Sequence, residues 1–322
     1  MSKILENLIE EIELADSRIR DNILTTPLIE SRFLSRLIDG SVLLKLESEQ
    51  HTGSFKARGS LNKLMSLNEA EKNSGVVTAS TGNHAQGFAR ACEITNTAGT
   101  ICLPENASKA KVEALKFYDT HLEFYGNDSL QTELHAKQQA LKTGRVWVSP
   151  YNDMQVIAGQ GTIGIELCEQ SEHLDSVLIT VGGGGLISGI GSYLKSKAPG
   201  TKIIACQPEN SPEMKLSLEA GRIVQLPEYL ETLSDGSAGG IEDGSITFDI
   251  CREIVDTTFL ATENEIAEAI KLIAHRHHKI IEGAAGVAVA SLIKNADQFK
   301  GQTVAIIICG SNISIDNFRS LI

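Results

Sequence analysis

A lysine flanked by an aromatic residue and by small residues is the first candidate for chemistry. Lys56 lies in the segment HTGSFKARGSLN, between Phe55 and Ala57, at the predicted start of a helix. If this helix start is closely packed, burial disfavours the charged ammonium form, and the resulting neutral amine can form a Schiff base with an aldehyde. Because most lysines are solvated surface residues, the segment read alone only suggests a function.

A second candidate is a turn that could bind an anion, in the segment VVTASTGNHAQGFA. A predicted strand ends before Ser80, Thr81 and Gly82, and a helix begins at Asn83, so main-chain N–H groups and the positive end of the helix dipole meet there. A simple helix cap by Ser80 or Thr81 explains the turn equally well. Asn83 and His84 add two hydrogen-bonding side chains that a cap does not need, which favours a bound anion.

Four consecutive glycines, Gly182 to Gly185, follow an apolar strand in TVGGGGLISG. Such a loop lets the main chain approach a ligand closely, and the helix that follows directs its N-terminus at a phosphate. The dinucleotide pattern G-x-G-x-x-G fails at Ser188, and the P-loop pattern has Ile190 where it needs lysine. The loop therefore favours a lone phosphate monoester over a nucleotide, and a tight turn without a ligand is the alternative.

The last candidate is Cys309, in the segment AIIICGSN. A buried strand ends here, and ligands of α/β proteins bind at the carboxyl ends of the strands. A single cysteine in an apolar run is most often a small core residue. Beside Gly310, its thiol could instead face an atom of a cofactor.

The elements that must position these residues alternate between strand and helix. Several strand segments, such as SVLITV and TVAIIIC, are apolar without alternation, which is typical of parallel strands covered by helices on both faces. The predicted strands are residues 42–46, 76–79, 100–103, 122–125, 146–148, 177–181, 202–206 and 303–309. The clearest predicted helices are residues 3–20, 83–93, 109–117, 129–142, 155–169 and 263–279. The pattern predicts an α/β fold of open, mostly parallel sheets.

Composition limits the partners and the compartment. A net charge of −12 and a pI near 5.2 argue against nucleic acids and anionic membranes, because both attract a basic surface. No apolar run is long enough to span a membrane, and the charged N-terminal segment lacks the features of a secretory signal. The six cysteines form no CxxC pair, so we expect a cytoplasmic protein.

The four motifs, in this order and at these separations, resemble the tryptophan-synthase-β-like family of pyridoxal-phosphate enzymes of fold type II. The resemblance covers residues from about Thr25 to about Ile315 and is strongest to the branch of serine/threonine dehydratases and serine racemases. SFKARG resembles the segment of the cofactor-binding lysine, STGNHAQG the carboxylate-binding loop, GGGGLISG the phosphate loop and CGSN the partner of the ring nitrogen.

The resemblance implies a role for each candidate residue. Lys56 would bind the aldehyde of pyridoxal phosphate and remove the α-proton, Phe55 would stack on the ring, and Asn83 would bond the ring hydroxyl. The expected phosphate ligands are Gly182, Gly183, Gly184, Gly185 and Leu186. Cys309 would meet the ring nitrogen. The expected substrate ligands are Ser80, Thr81, Gly82 and His84. The segment 232–240 and Glu282 also match family positions near the cofactor.

The implied reaction starts from a small β-hydroxy amino acid such as L-threonine or L-serine. The β-hydroxyl leaves as water, and hydrolysis of the resulting aminoacrylate takes up water again and gives a 2-oxo acid and ammonia. Thr81 keeps racemisation open, because the racemases of the family carry a serine that transfers protons at this position. The motifs are also compatible with a lyase for 3-hydroxyaspartate or phenylserine, and with a non-catalytic protein that binds pyridoxal phosphate.

The resemblance also carries expectations about architecture and metal. A large cofactor-binding domain would comprise residues 1–48 and 149–322, with a small substrate-binding domain at 49–148, and the protein would form a homodimer or another homo-oligomer. The chain stops soon after CGSN, so a C-terminal regulatory domain is not expected. We expect no metal, because Gln207 replaces the first acidic ligand of the racemases, and residues 275–278 point in different directions around a helix.

Overall fold

The computed structural model describes residues 2–228 and 230–322 of the chain. The fourteen α-helices of this part are α1 Lys3–Ile19, α2 Arg32–Leu37, α3 Lys56–Met65, α4 Glu69–Ser74, α5 Asn83–Thr95, α6 Lys109–Leu115, α7 Ser129–Thr143, α8 Met154–Gln170, α9 Gly185–Lys197, α10 Glu213–Ala220, α11 Ile246–Ile254, α12 Glu263–His277, α13 Gly283–Lys294 and α14 Ile315–Leu321. The strands are β1 Leu28–Glu30, β2 Ser41–Lys45, β3 Val76–Ala79, β4 Gly99–Leu103, β5 His121–Phe124, β6 Val146–Trp147, β7 Ser176–Thr180, β8 Lys202–Pro208, β9 Thr257–Ala261 and β10 Thr303–Ile307.

The larger sheet has six strands in the order β1-β2-β10-β7-β8-β9. Its pairings are parallel except for β1, which runs antiparallel to β2 at the edge. Every residue of β7 is buried, as an apolar strand between two layers of helices requires. Apolar residues of α8, α9, α12 and α13 complete the main hydrophobic core around this sheet.

The smaller sheet has four parallel strands in the order β5-β4-β3-β6. Its core is separate from that of the large sheet and includes Phe88 of α5 and Leu61 of α3. The predicted α/β fold with two open, mostly parallel sheets is thus confirmed. The strands of this sheet lie between residues 76 and 147, but the domain boundaries at 48/49 and 148/149 stay a prediction.

Several elements differ from the sequence-based prediction. Strands β1 and β9 were not expected, because one is a three-residue edge strand and the other lacks an all-apolar run. Helix α12 ends at His277 and not at residue 279, because His278 adopts a left-handed conformation with φ 54° that stops the helix. None of the helices in residues 2–228 and 230–322 is long and apolar enough to cross a membrane.

The start of α3 is held at the junction of the two sheets. A Cβ atom on Gly87 of α5 would lie 2.9 Å from the main-chain carbon of Lys56, so this close crossing of α3 and α5 requires glycine. Helix α3 also packs on α8, which belongs to the core of the large sheet. The lysine at the first position of α3 is therefore fixed by both halves of the molecule.

Candidate active site

The residues directly after β10 are hydrogen-bonded to the residues directly before α3. Ser54 forms an isolated antiparallel bridge with Gly310. The main-chain N–H of Phe55 donates to the carbonyl oxygen of Cys309 over 3.1 Å. Two segments that are about 250 residues apart in the sequence thereby become neighbours, and Lys56 follows directly after this junction.

The amine of Lys56 lies in a partly buried position with few polar neighbours. Its Nζ donates to the carbonyl oxygen of Pro150 over 2.6 Å and lies 5.2 Å from the centre of the Phe55 ring. Burial lowers its pKa from 10.5 to about 8, although the negative charges of Cys309 and Glu282, when ionised, act in the opposite direction. A substantial fraction of this amine is therefore neutral in weakly basic solution, as a nucleophile or a base requires.

Cys309 is 2% exposed and lies close enough to Lys56 for each charge to shift the other's pKa. Burial raises the pKa of the thiol well above its ordinary value, and the neighbouring carboxylate of Glu282 raises it further. Cys309 therefore presents a neutral thiol, and not an anion, to a ligand in this site.

The glycine loop begins after β7 and leads into α9. Gly184 has φ +89°, which favours glycine. Side chains on the loop are also excluded by contact, because a Cβ on Gly183 would lie 2.5 Å from the Tyr151 ring and one on Gly182 would lie 2.7 Å from the carbonyl oxygen of Ser237. The loop is thus bare main chain at a helix N-terminus, the arrangement that binds phosphate.

Leu186, the next residue, is a predicted cofactor ligand. Its side chain is buried in the main hydrophobic core, so a contact of Leu186 with a ligand is possible only through its main-chain N–H. The loop is linked to Lys56 through the adjacent residues Pro150 and Tyr151, since the first accepts the lysine hydrogen bond and the second packs on the glycines.

The predicted anion turn connects β3 to α5. The hydroxyl of Ser80 accepts the N–H of Gly82 over 3.2 Å, and α5 begins at Asn83. The first N–H groups of a helix have no partner within it, and a Cβ placed on Gly82 would meet no atom within 4 Å. Ser80, Thr81 and Gly82 therefore border open space beside a helix N-terminus, where a carboxylate fits.

His84 differs from the other predicted substrate ligands. Its imidazole is buried, with Nε2 3.0 Å from the Thr78 hydroxyl and Nδ1 3.4 Å from the Ser60 hydroxyl. Burial and the nearby Lys56 charge lower its pKa to about 3, so the ring is neutral. Both ring nitrogens are directed at interior partners, so His84 could contact a substrate through its main-chain N–H and not through its side chain.

Asn83 and Glu282 connect the two sheets. The Asn83 amide donates from Nδ2 to both carboxylate oxygens of Glu282, over 2.9 and 3.0 Å. Glu282 is 4% exposed, and burial raises its pKa from 4.5 to about 7. It precedes α13, and its carboxylate lies beside Gly310, so the anion turn and the segment after β10 meet at this residue.

The sequence did not reveal several buried or bridging residues that support the site. Arg58 is fully buried and forms ion pairs with Glu47 and Glu166, and Glu166 also contacts Lys45. A basic residue two positions after the lysine, in a segment of small residues, is the signal that points to Arg58. Asn312 lies within the CGSN motif, which by itself suggests no role for it, and its amide donates to the side-chain oxygen of Asn83 over 2.6 Å.

No cluster of three or more metal-ligating side chains was found within the part of the chain that the structure describes. Gln207 is the residue that the sequence predicted to replace an acidic cation ligand, and its side chain donates to the carbonyl oxygen of Ser211 over 3.3 Å and accepts the N–H of Lys215 over 2.8 Å. The neutral amide is thus occupied with main-chain partners.

The fold and the site together define an α/β protein in which a lysine of lowered pKa, a bare glycine loop and an open turn at a helix start lie at the junction of two sheets. Residues 19–310 match the family described as pyridoxal-phosphate dependent enzyme. The L-threonine ammonia-lyase of Thermotoga maritima is 40% identical over 314 residues, which cover 98% of this chain and 78% of that protein.

Two solved structures extend the comparison. The processed form of threonine deaminase isoform 2 from Solanum lycopersicum superposes with a TM-score of 0.95 at 32% identity, covering 100% of this chain and 88% of the other. Serine racemase from Dictyostelium discoideum has a TM-score of 0.88 at 34% identity, with coverage of 95% and 99%. The chain therefore belongs to the family of pyridoxal-phosphate-dependent enzymes, as the resemblance of its motifs predicted.

The residues of the site fit this cofactor. The bare glycine loop can take its phosphate, the amine of Lys56 can take its aldehyde, and the neutral Cys309 thiol suits an uncharged ring nitrogen. The individual roles of these residues remain predictions.

Proposed function

We propose that the protein is a pyridoxal-phosphate-dependent ammonia-lyase that converts L-threonine or L-serine to a 2-oxo acid and ammonia. The observation that carries the proposal is the amine of Lys56, whose pKa is lowered to about 8 at a point where a phosphate loop and a carboxylate turn converge. Relatives that carry the name threonine ammonia-lyase or threonine deaminase support the same activity.

When bound, pyridoxal phosphate supplies an aldehyde that links to amines and a conjugated ring that takes up electrons from the substrate α-carbon. The chain's task is to orient the substrate and to move protons. Ser80, Thr81 and the first N–H groups of α5 hold the substrate carboxylate, and the N–H groups of Gly182 to Gly185 hold the phosphate. This arrangement would hold the substrate by its carboxylate and the cofactor by its phosphate.

Lys56 acts as the base in this proposal. Its Nζ takes the proton from the substrate α-carbon, for which a pKa near the working pH is most effective. Phe55 packs beside the amine and excludes water from it. The neutral thiol of Cys309 places no negative charge at the ring nitrogen, which weakens the ring as an electron acceptor and favours prompt loss of the β-hydroxyl.

The direct test is formation of 2-oxo acid and ammonia from L-threonine and L-serine by the purified holoenzyme. We expect turnover with the wild-type protein and its loss with Lys56→Ala. Lys271→Ala, which removes a partly exposed lysine on α12, is the matched control and should retain wild-type turnover. Turnover by Lys56→Ala at the wild-type rate would refute the proposal.

A racemase is the second candidate, and Thr81 is the observation that favours it. Its hydroxyl belongs to the carboxylate turn, where it could transfer a proton, and serine racemase is among the similar structures. Chiral analysis of L-serine incubated with the enzyme decides between the two. Accumulation of D-serine that Thr81→Ala abolishes would establish racemisation, and its absence after long incubation would exclude it.

The side-chain specificity depends on segments 151–160 and 234–242, which adjoin the glycine loop. Tyr151 packs on Gly183, and its hydroxyl accepts the N–H of Glu242 over 2.9 Å. We propose that these segments admit the small side chains of serine and threonine. A 2-oxo-acid assay that includes 3-hydroxyaspartate and phenylserine, in both stereochemical series, tests this choice.

We further propose a cytoplasmic homo-oligomer, in the simplest case a homodimer. All six cysteines are unpaired, and five of them are buried, which suits a reducing compartment. Phe33 and Leu37 of α2 are 40% and 41% exposed, as apolar residues of a subunit interface are before association. The molar mass in solution, from light scattering on the eluting protein, checks the oligomeric state.

A further inference from the structure

Four polar residues form a chain of hydrogen bonds at the edge of the site. The side-chain amide of Asn312 donates to the carbonyl oxygen of Thr52 over 2.8 Å and to Oδ1 of Asn83 over 2.6 Å. The amide of Asn83 donates to the carboxylate of Glu282. The main-chain N–H of Asn312 donates to Oε2 of the same carboxylate over 3.1 Å.

When Glu282 is ionised, which requires a pH above its raised pKa of about 7, both ends of this chain consist of groups that only accept hydrogen bonds. The Thr52 oxygen is a main-chain carbonyl, so Asn312 must face it with NH₂ and not with oxygen. An ionised carboxylate likewise accepts only, so Asn83 must face Glu282 with NH₂. Each end therefore dictates the same orientation of the Asn83 amide, which would otherwise be free to rotate by about 180°.

The geometry also leaves one donor of Asn83 available. Nδ2 lies 2.9 and 3.0 Å from the two oxygens of Glu282, so one N–H points between them. An amide nitrogen carries two hydrogens at about 120°, and the second is directed away from the carboxylate. Asn83 thus offers a single N–H donor of fixed direction.

We propose that Glu282 and Asn312 are positioning residues, which hold the Asn83 amide so that its free N–H meets the ring hydroxyl oxygen of bound pyridoxal phosphate. The proposal rests on the proposed function and on the role that the resemblance implies for Asn83, a hydrogen bond to that oxygen. Glu282 acts from the N-terminus of α13 and Asn312 from the segment after β10. Through the Asn83 amide, Glu282 and Asn312 both connect the large sheet to α5 of the small sheet.

Glu282 and Asn312 are the two anchors of the Asn83 amide. Because both enforce the same orientation of this amide, loss of either anchor should weaken cofactor binding less than loss of both. Glu282→Gln keeps one acceptor oxygen but places an NH₂ group beside Asn83, so only Asn312 still selects the orientation. Asn312→Ala removes the other anchor and leaves the carboxylate. Residues that act on a shared group show such non-additive effects.

The test compares how the apoprotein binds pyridoxal phosphate and its 3-deoxy analogue, which lacks the ring hydroxyl. Dissociation constants are measured by equilibrium titration of absorbance, without substrate or turnover. The variants are Asn83→Ala, Glu282→Gln, Asn312→Ala and the double variant Glu282→Gln/Asn312→Ala. Glu268→Gln on α12 and Asn317→Ala on α14 are matched controls, since both side chains are exposed.

We expect Asn83→Ala to weaken binding of pyridoxal phosphate roughly tenfold or more while changing binding of the analogue little, as expected for one hydrogen bond to a charged oxygen. Each single anchor variant should weaken binding of pyridoxal phosphate about threefold, and the double variant should approach Asn83→Ala. The controls should bind both compounds as the wild type does.

Three results would overturn the proposal. If Asn83→Ala discriminates between the two compounds but the anchor variants, including the double variant, do not, the anchors do not position Asn83. If the anchor variants weaken binding of both compounds equally, their role is only structural. If Asn83→Ala itself fails to discriminate, the placement of Asn83 at the ring hydroxyl is wrong, and the proposal falls with it.

Discussion

Glu166 and Glu282 are two buried carboxylates that the fold treats in opposite ways. Glu166, on α8, contacts Arg58 with 2.6 Å between Nη1 and Oε1, and also contacts Lys45. Within the part of the chain that the structure describes, the donors to the Glu282 carboxylate are neutral and are the Asn83 amide and the Asn312 N–H. Burial raises the pKa of both carboxyls, but the two cations outweigh burial at Glu166 and lower its pKa.

The difference shows how charge is divided around the active site. The four residues Lys45, Glu47, Arg58 and Glu166 carry two positive and two negative charges, all buried, and join β2 to α3 and α8. Such a balanced group fixes the helix that carries Lys56 without adding net charge. The carboxyl of Glu282 has no cation bound to it within the described residues, so its charge remains free to act on Lys56 and Cys309.

The largest expected effect comes from breaking the balanced group. Glu166→Ala should lower the free energy of unfolding by about 3–5 kcal/mol, because it leaves Arg58 and Lys45 with one carboxylate between them. Glu169→Ala, on the same helix, removes a 49% exposed partner of Arg20 and should cost about 1 kcal/mol or less. Urea denaturation of the apoproteins measures both, and equal losses would show that the buried group is no more important than a surface pair.

The second prediction uses the opposite pKa shifts of Glu282 and Glu166. A folded pKa of about 7 against 4.5 means that Glu282 contributes stability that is complete below pH 4.5 and is lost as the pH rises to about 7. The total is about 3 kcal/mol, from about 1.36 kcal/mol per pKa unit. Glu282→Gln has no carboxyl that must ionise, so its stability relative to the wild type should increase as the pH rises across this range. The stability that Glu166 contributes has the opposite pH dependence, because its lowered pKa means that this stability is lost as the pH falls.

Denaturation of the apoproteins from about pH 5 to 8 checks this prediction, with Glu268→Gln as the control. The other charges that act on Glu282 are Asp235, which raises its pKa, and Lys111, which lowers it; Lys56 and Cys309 also face it. A constant difference between variant and wild type over the whole range would show that Glu282 is ionised throughout.

The sequence was sufficient to predict the parts of the fold and site that local pattern determines. Strand β7 is apolar along its whole length, and the glycines at 182–185 follow it directly, so both the strand and the loop were expected where they lie. The placement of Lys56 at a helix start was expected for the same reason. Each of these features depends on residues that are neighbours in the sequence, so a local sequence pattern is enough to predict it.

The features that the sequence did not reveal depend on contacts between distant residues. Lys45 and Glu166 are 121 positions apart, and a glutamate within the α8 pattern resembles a residue of a solvated face until the fold buries it. The link from Asn312 to Asn83 spans 229 positions. The helix start alone suggests that the His84 side chain is a ligand, but packing directs its ring towards Thr78 and Ser60.

The space for the Glu282 carboxylate provides the third prediction. A Cβ on Gly310 would lie 2.5 Å from Oε1 of Glu282, so Gly310→Ala must displace the carboxylate and should cost about 1–3 kcal/mol of stability. The same substitution in a Glu282→Ala background should cost less, because the obstructed group is gone. Gly200→Ala meets no atom within 4 Å and serves as the control for denaturation. An equal cost in both backgrounds would place the strain elsewhere.

The smallest effect is expected on the titration of Lys56. The rate at which the apoprotein links to pyridoxal phosphate should rise with pH and level off above about 8, where the amine has lost its proton. The negative charge of Glu282 raises the pKa of Lys56 against the effect of burial, so Glu282→Gln should move this inflection to lower pH. Glu166→Gln should leave it in place, because Arg58 and Lys45 already balance that carboxylate. Rapid mixing followed by absorbance over a pH series separates the two variants, and a similar shift in both would mean that the balanced group also controls the reactive amine.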